Sequence, residues 1–195
     1  LCSCGGRVDT NGLHWRRCKL GGGPIIVHNV LRDRLVQACH HAGTTARPEV
    51  PHLIQAALNL RPGDVVAMGI GPDGEDLVVD VTVVTLGRCG GQIGREQCRA
   101  PGQAAVRAEK RKSSAVVENT GNTVAQEVAA QGMTFMPIGF DASGAPGSMW
   151  STFIKTLSET AHMNRGHDEN SFRRRWSGSV AMAVVKTGTE GAARR

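Results

Sequence analysis

Residues 61–86 read RPGDVVAMGIGPDGEDLVVDVTVVTL. Two valine-rich runs, Asp64–Gly69 and Asp76–Leu86, flank Gly71-Pro72-Asp73-Gly74, a tetrad with strong turn chemistry, so the stretch predicts a β-hairpin. Between Leu77 and Leu86 only Asp80, Thr82 and Thr85 are polar, and both faces of that strand are therefore expected to be covered. A carboxylate in such a strand is costly unless a cation or a hydrogen-bond donor satisfies it. Asp64 opens the partner strand, and the hairpin brings the two aspartates together.

Outward from the hairpin, a third β-type stretch around Ala46–Val50 carries Glu49. Before it, Val30, Leu31, Leu35, Ala38 and Cys39 recur at helical spacing, which predicts a helix over about 27–42 with Gly43 as its C-cap. Gly21-Gly22-Gly23-Pro24 is expected to be a hinge where no helix or strand continues. Downstream, Gly87–Gly102 reads as a loop. A helix over about 103–117 is interrupted by Asn119-Thr120-Gly121-Asn122 and resumes at Val124–Ala130. A strand at Thr134–Phe140 and helices over about 147–162 and 169–187 follow. The expected organisation is α/β, with residues 1–23 as a cysteine-bearing knuckle, 24–188 as the main domain and 189–195 as a flexible tail. The chain opens at Leu1 inside a cysteine motif, which reads as a fragment of a longer polyprotein.

The chain has 195 residues and a formal net charge of +6, with a sequence pI near 9.3. Basic residues cluster at Arg16–Lys19, Arg107–Lys112 and Arg173–Arg175, which favours a polyanionic partner such as nucleic acid; a solvated basic surface is the alternative. No apolar run approaches the ~20 residues of a membrane span, and no secretory h-region is present. With no tyrosine and 4% aromatic content, no stacking platform for single strands is visible.

Cys2, Cys4, His14 and Cys18 place three thiols and an imidazole at the spacing of a closed, structural Zn2+ site; free cysteines in a ragged N-terminus are the competing reading. Cys89 and Cys98 supply two ligands, too few for a second site. Glu49, Asp64 and Asp80 form an oxygen-rich set suited to Mg2+, the alternative being solvent-facing acids on an ordinary hairpin. A lysine is expected nearby. Lys110 and Lys112 lie about 200° apart on the following helix, and Lys112 shares the stripe of Ala105, Ala108, Ala115 and Val116, which selects it over Lys110. Its ammonium would orient water and offset charge on a phosphate; snorkelling along the helix surface fits it equally. His28 and Asn29, near the start of the first helix, fit either a contact to the site or to DNA, or a packing role.

The series Cys2-Ser-Cys4-Gly, His14-x3-Cys18-Lys, the glycine hinge, His28-Asn29-x-Leu-Arg32-Asp33, Pro48-Glu49-Val50, Arg61-Pro-Gly-Asp64, Asp76-Leu-Val-Val-Asp80-Val-Thr-Val, a basic helix and Phe135-Met-Pro137-Ile-Gly139-Phe resembles the restriction-enzyme-like endonuclease domain of site-specific non-long-terminal-repeat retrotransposons. The resemblance runs from residue 1 to about residue 180. It implies a PD-(D/E)XK nuclease core, αβββαβ with a mixed central sheet flanked by helices, extended by C-terminal helices and an N-terminal CCHC zinc knuckle. It implies a Mg2+-dependent enzyme that nicks double-stranded chromosomal DNA in the nucleus to prime reverse transcription, with element RNA held by upstream domains. The family's catalytic acids carry over to Glu49, Asp64 and Asp80, and His28, Asn29, Arg32, Arg61, Arg173, Arg174 and Arg175 are the expected nucleic-acid contacts. Val27 stands where the family has a basic residue, and Gly63 fills its Pro-x-Asp gap. A non-catalytic nucleic-acid-binding module and an inactive nuclease relic are the rival readings.

Overall fold

The computed structural model describes residues 4, 5, 14, 18, 23–54, 61–84 and 100–193, with side chains to residue 187. Cys2, Cys89, Cys98 and most of the knuckle and of the Gly87–Gly102 loop lie outside them. Among the described residues, four strands and five helices run in the order α1 (Gly23–His41), β1 (Ala46–Pro48), β2 (Val65–Ala67), β3 (Asp76–Val84), α2 (Gln103–Ser113), α3 (Val124–Ala130), β4 (Met133–Asp141), α4 (Met149–Arg165) and α5 (Glu169–Ala193).

The strands form one mixed sheet in the order β1-β2-β3-β4. β1, β2 and β3 pair antiparallel and β4 runs parallel to β3. A parallel step needs a crossover, and α2 and α3 supply it. Strand alternation assigns Leu77, Val79 and Val81 to one face of β3 and Val78, Asp80 and Thr82 to the other. The first three join Leu31 and Leu35 of α1, Phe153 and Leu157 of α4 and Phe172 and Trp176 of α5 in the main core. On the opposite face Val78 meets Val66, Ile54 and Val128 of α3 in a smaller cluster. Each fully buried side chain of this size contributes roughly 1.5–3 kcal/mol, so the sheet is fixed from both sides.

Several boundaries differ from the sequence expectation. α1 begins at Gly23, so half of the expected hinge is helix; Pro24 suits a first helical turn, where no backbone N–H is needed. β2 is three residues, and Asp64 falls just outside it. The helix expected over 103–117 ends at Ser113, where the Ser113 and Ser114 hydroxyls donate to the Glu109 and Lys110 carbonyls. Val124–Ala130 is a separate helix with its own capping box, Thr123 with Gln126, rather than a continuation. α5 runs on to Ala193, through the expected tail. No helix among the described residues is long and apolar enough to cross a membrane.

Candidate active site

The sheet register lines up the three acids. Pairing of Pro48 with Val65 and of Val65 with Val79 carries on past the end of β1 and β2, where the Glu49 N–H donates to the Asp64 carbonyl and the Asp64 N–H to the Val79 carbonyl, both at 2.8 Å. Because β2 stops short, the Val81 N–H lacks a strand partner, and the Asp64 carboxylate accepts it at 2.7 Å. Asp64 is close enough to Asp80 for its charge to act on the Asp80 carboxyl.

Each aspartate has a basic partner. Lys112 of α2 holds its Nζ 2.9 Å from Asp80, whereas Lys110 is exposed. Ala105, Ala108 and Lys112 occupy one helix stripe, and packing of the alanines against the sheet aims Lys112 at β3. His28 of α1 donates from Nε2 to Asp64 at 3.1 Å and from Nδ1 to the Asn29 side-chain oxygen at 3.4 Å. With both ring nitrogens facing oxygen, His28 is raised above the ordinary histidine value, by the Asp64 hydrogen bond against the opposing effect of burial.

The two carboxyls diverge. Burial pushes Asp80, only 9% exposed, up to about 6; the Lys112 hydrogen bond and charge oppose the rise, and the Asp64 charge adds to it. Burial also acts to raise Asp64, but the hydrogen bonds from His28 and the Val81 N–H outweigh it and hold Asp64 below the usual carboxylate range. Two acids side by side cannot ionise independently. The pair is held by His28 on one side and Lys112 on the other, and both side chains line a cleft of about 360 Å³ with Pro24, Ile25, Val27 and Val81–Val83.

Other expected site residues lie differently. Glu49 adopts φ 47° and its carboxylate meets Arg32, and Arg61 at 2.9 Å, rather than the two aspartates. Arg32 also pairs with Asp33 at 2.8 Å. Arg173 is bound to Glu169 and to the Ser158 hydroxyl, both at 2.7 Å, and Arg175 lies over Trp176 at 5.9 Å; Arg174 is exposed. That region of α5 packs on His41, whose Nδ1 accepts from Trp176. His41 and His28 are about 20 Å apart along α1 at ~1.5 Å per residue, so the structure does not bring Arg173–Arg175 to the aspartates.

One role was an open alternative in the sequence and another escaped it. His28, for which a contact to the site was one reading, is the partner of Asp64. Glu109, 3% exposed, accepts from the Gly139 N–H, the Ser148 hydroxyl and the Met149 N–H, fastening α2 to β4 and to the start of α4. Its position on the stripe of Ala105, Ala108 and Lys112 was the available signal.

Cys4, His14 and Cys18 bring one ligand atom each to within 4.8 Å of one another, and among the described residues they are the one group of three or more that does so. This group is able to hold a metal ion. Glu49, Asp64 and Asp80 do not converge to that distance. No protein-family model matches the chain, and no curated protein matches it.

Proposed function

We propose that the chain is a Mg2+-dependent endonuclease domain of the PD-(D/E)XK, restriction-enzyme-like type carried by site-specific non-long-terminal-repeat retrotransposons. It would nick double-stranded target DNA in the nucleus, the nick priming reverse transcription. The observation that carries the reading is Asp80, a buried carboxylate beside Asp64 with Lys112 at 2.9 Å, acid, acid and lysine supplied by three separate elements to one site. The order of the sequence motifs and a mixed sheet with three antiparallel strands and a parallel fourth support it.

The donor set suits the ion. Asp64 and Asp80 offer hard oxygen ligands, and the burial that raises Asp80 to about 6, with the Asp64 charge adding to it, is what a divalent cation offsets. These two residues would hold Mg2+, with Glu49 occupied by Arg32 and Arg61. Bound there, the ion supplies charge stabilisation at the phosphate and lowers the pKa of water. Lys112, 44% exposed, reaches from Asp80 into the cleft and offers a positive charge to a phosphate oxygen. His28 holds Asp64 ionised and oriented. At the N-terminus, the soft donors Cys4, His14 and Cys18 suit Zn2+, with Cys2 as the fourth ligand of a closed structural site.

Supercoiled plasmid incubated with Mg2+ tests the reading. The wild type should yield nicked circles and Asp80→Ala none, with circular dichroism unchanged. Wild-type rates from Asp80→Ala would refute the site. Salt-dependent DNA binding without nicking would leave a non-catalytic binding module or an inactive relic.

A further inference from the structure

We propose that the outer face of α2, carrying Arg107, Lys110 and Arg111, is the surface on which the phosphate backbone of duplex DNA runs toward the cleft; the inference rests on the nuclease reading of the adjoining site. The three residues stand at i, i+3 and i+4, with Ser114 at i+7, on a single helix stripe. All four are exposed. With Val84 and Ala104 they line an open recess of about 540 Å³. Val83, the neighbour of Val84 on β3, lines the cleft of His28 and Lys112, so the recess and the cleft are both bordered by the last residues of β3.

Among the described residues no carboxylate neutralises the charges on this stripe. Arg32, Arg61, Lys112 and Arg173 each have a carboxylate within 3 Å, whereas among the described residues no carboxylate pairs with Arg107, Lys110 or Arg111. Like charges at i,i+4 destabilise a helix. The helix dipole offsets part of this for Lys110 and Arg111 in the last turn, but Arg107 stands a turn earlier, where that compensation fades. An external polyanion supplies the missing counter-charge. From Arg107 to Ser114 the stripe spans about 10 Å at ~1.5 Å per residue, long enough to reach successive phosphates of one strand. The basic run on α5, by contrast, has Arg173 held by Glu169 and lies at the far end of α1.

The test is the affinity for a short synthetic DNA duplex, without added Mg2+, across a salt series. Wild type is compared with Arg107→Ala/Lys110→Ala/Arg111→Ala, with Arg173→Ala/Arg174→Ala/Arg175→Ala, and with Arg107→Lys/Arg111→Lys. Each lost phosphate contact lowers the slope of log affinity against log salt by about 0.9. The α2 triple variant should therefore be shallower by about 2–3 and bind at least tenfold more weakly at low salt. The α5 triple and the lysine variant should keep the wild-type slope. A wild-type slope in the α2 triple, a loss in the α5 triple instead, or no salt dependence in wild type overturns the assignment. So does a loss seen with an RNA duplex and not with DNA. Plasmid nicking by wild type is scored separately: an α2-dependent slope without nicking leaves the surface standing and removes the nuclease reading.

Discussion

Asp80 is destabilising in the protein without metal, because burial favours its neutral form. Its carboxyl ionises near 3.8 in the unfolded chain and near 6 in the fold, so the unfolded state loses its proton first. Stability from this group is complete below the unfolded value and is lost as pH rises through about 6. At roughly 1.4 kcal/mol per unit, Asp80→Asn should stabilise the metal-free protein at neutral pH by on the order of 2–3 kcal/mol. The advantage over wild type should vanish near pH 4, as read by urea denaturation at both pH values. The same variant should not nick, separating function from stability at one position. Lys112 and Lys110 divide in another way. Lys112→Ala should lower the single-turnover nicking rate at saturating DNA by about a hundredfold, the usual scale for losing a charge aimed at the reacting group. Lys110→Ala should leave that rate within about twofold and weaken DNA affinity instead. The reverse pattern would mean that α2 presents its other face to the aspartates.

The site depends on how closely α2 approaches the sheet. A Cβ on Gly139 of β4 would stand 2.7 Å from the Ala105 carbonyl oxygen, and the Gly139 N–H already donates to Glu109 at 2.9 Å. Gly139→Ala should therefore push α2 outward, cost about 1–3 kcal/mol by overpacking, and draw Lys112 away from Asp80. Thermal denaturation should register the first effect and a nicking assay the second, while DNA affinity stays near wild type; unchanged melting would show that α2 has slack. This dependence also explains what was legible in sequence. Asp80 stood out because it interrupts an apolar strand, and Lys112 because helical arithmetic sets it with Ala105 and Ala108. The elements themselves followed from periodicity and glycine punctuation. For His28 a contact to the site stayed one alternative beside DNA contact and packing, because its pairing with Asp64 depends on where the start of α1 rests against β3. Glu49 could be put in line with Asp64 by sequence order, but not its left-handed φ of 47° or its capture by Arg32 and Arg61. The end of α2 was missed because two serine hydroxyls, rather than a glycine or proline, mark it.

Across the whole molecule, the stabilising apolar contacts and the metal-binding group at the N-terminus are drawn from different parts of the chain. Among the described residues both core clusters run between Val27 and Val184, and neither includes Cys4, His14 or Cys18. A segment this short and glycine-rich gains much of its folding energy from a metal when it holds one. If Zn2+ occupies that group, its loss should unfold the front of the chain and leave the sheet and its helices intact. Purified protein should then contain about one zinc per chain by elemental analysis, as one closed four-ligand site requires, and Cys18→Ser should bring it near zero. The near-ultraviolet dichroism and the main melting transition of Cys18→Ser should stay within a few degrees of wild type, since a change of about 1 kcal/mol moves a domain of this size by ~2–4 °C. Full zinc content in a protein lacking both Cys2 and Cys18 would refute the ligand set. Collapse of the main transition on zinc removal would show instead that the core leans on the knuckle.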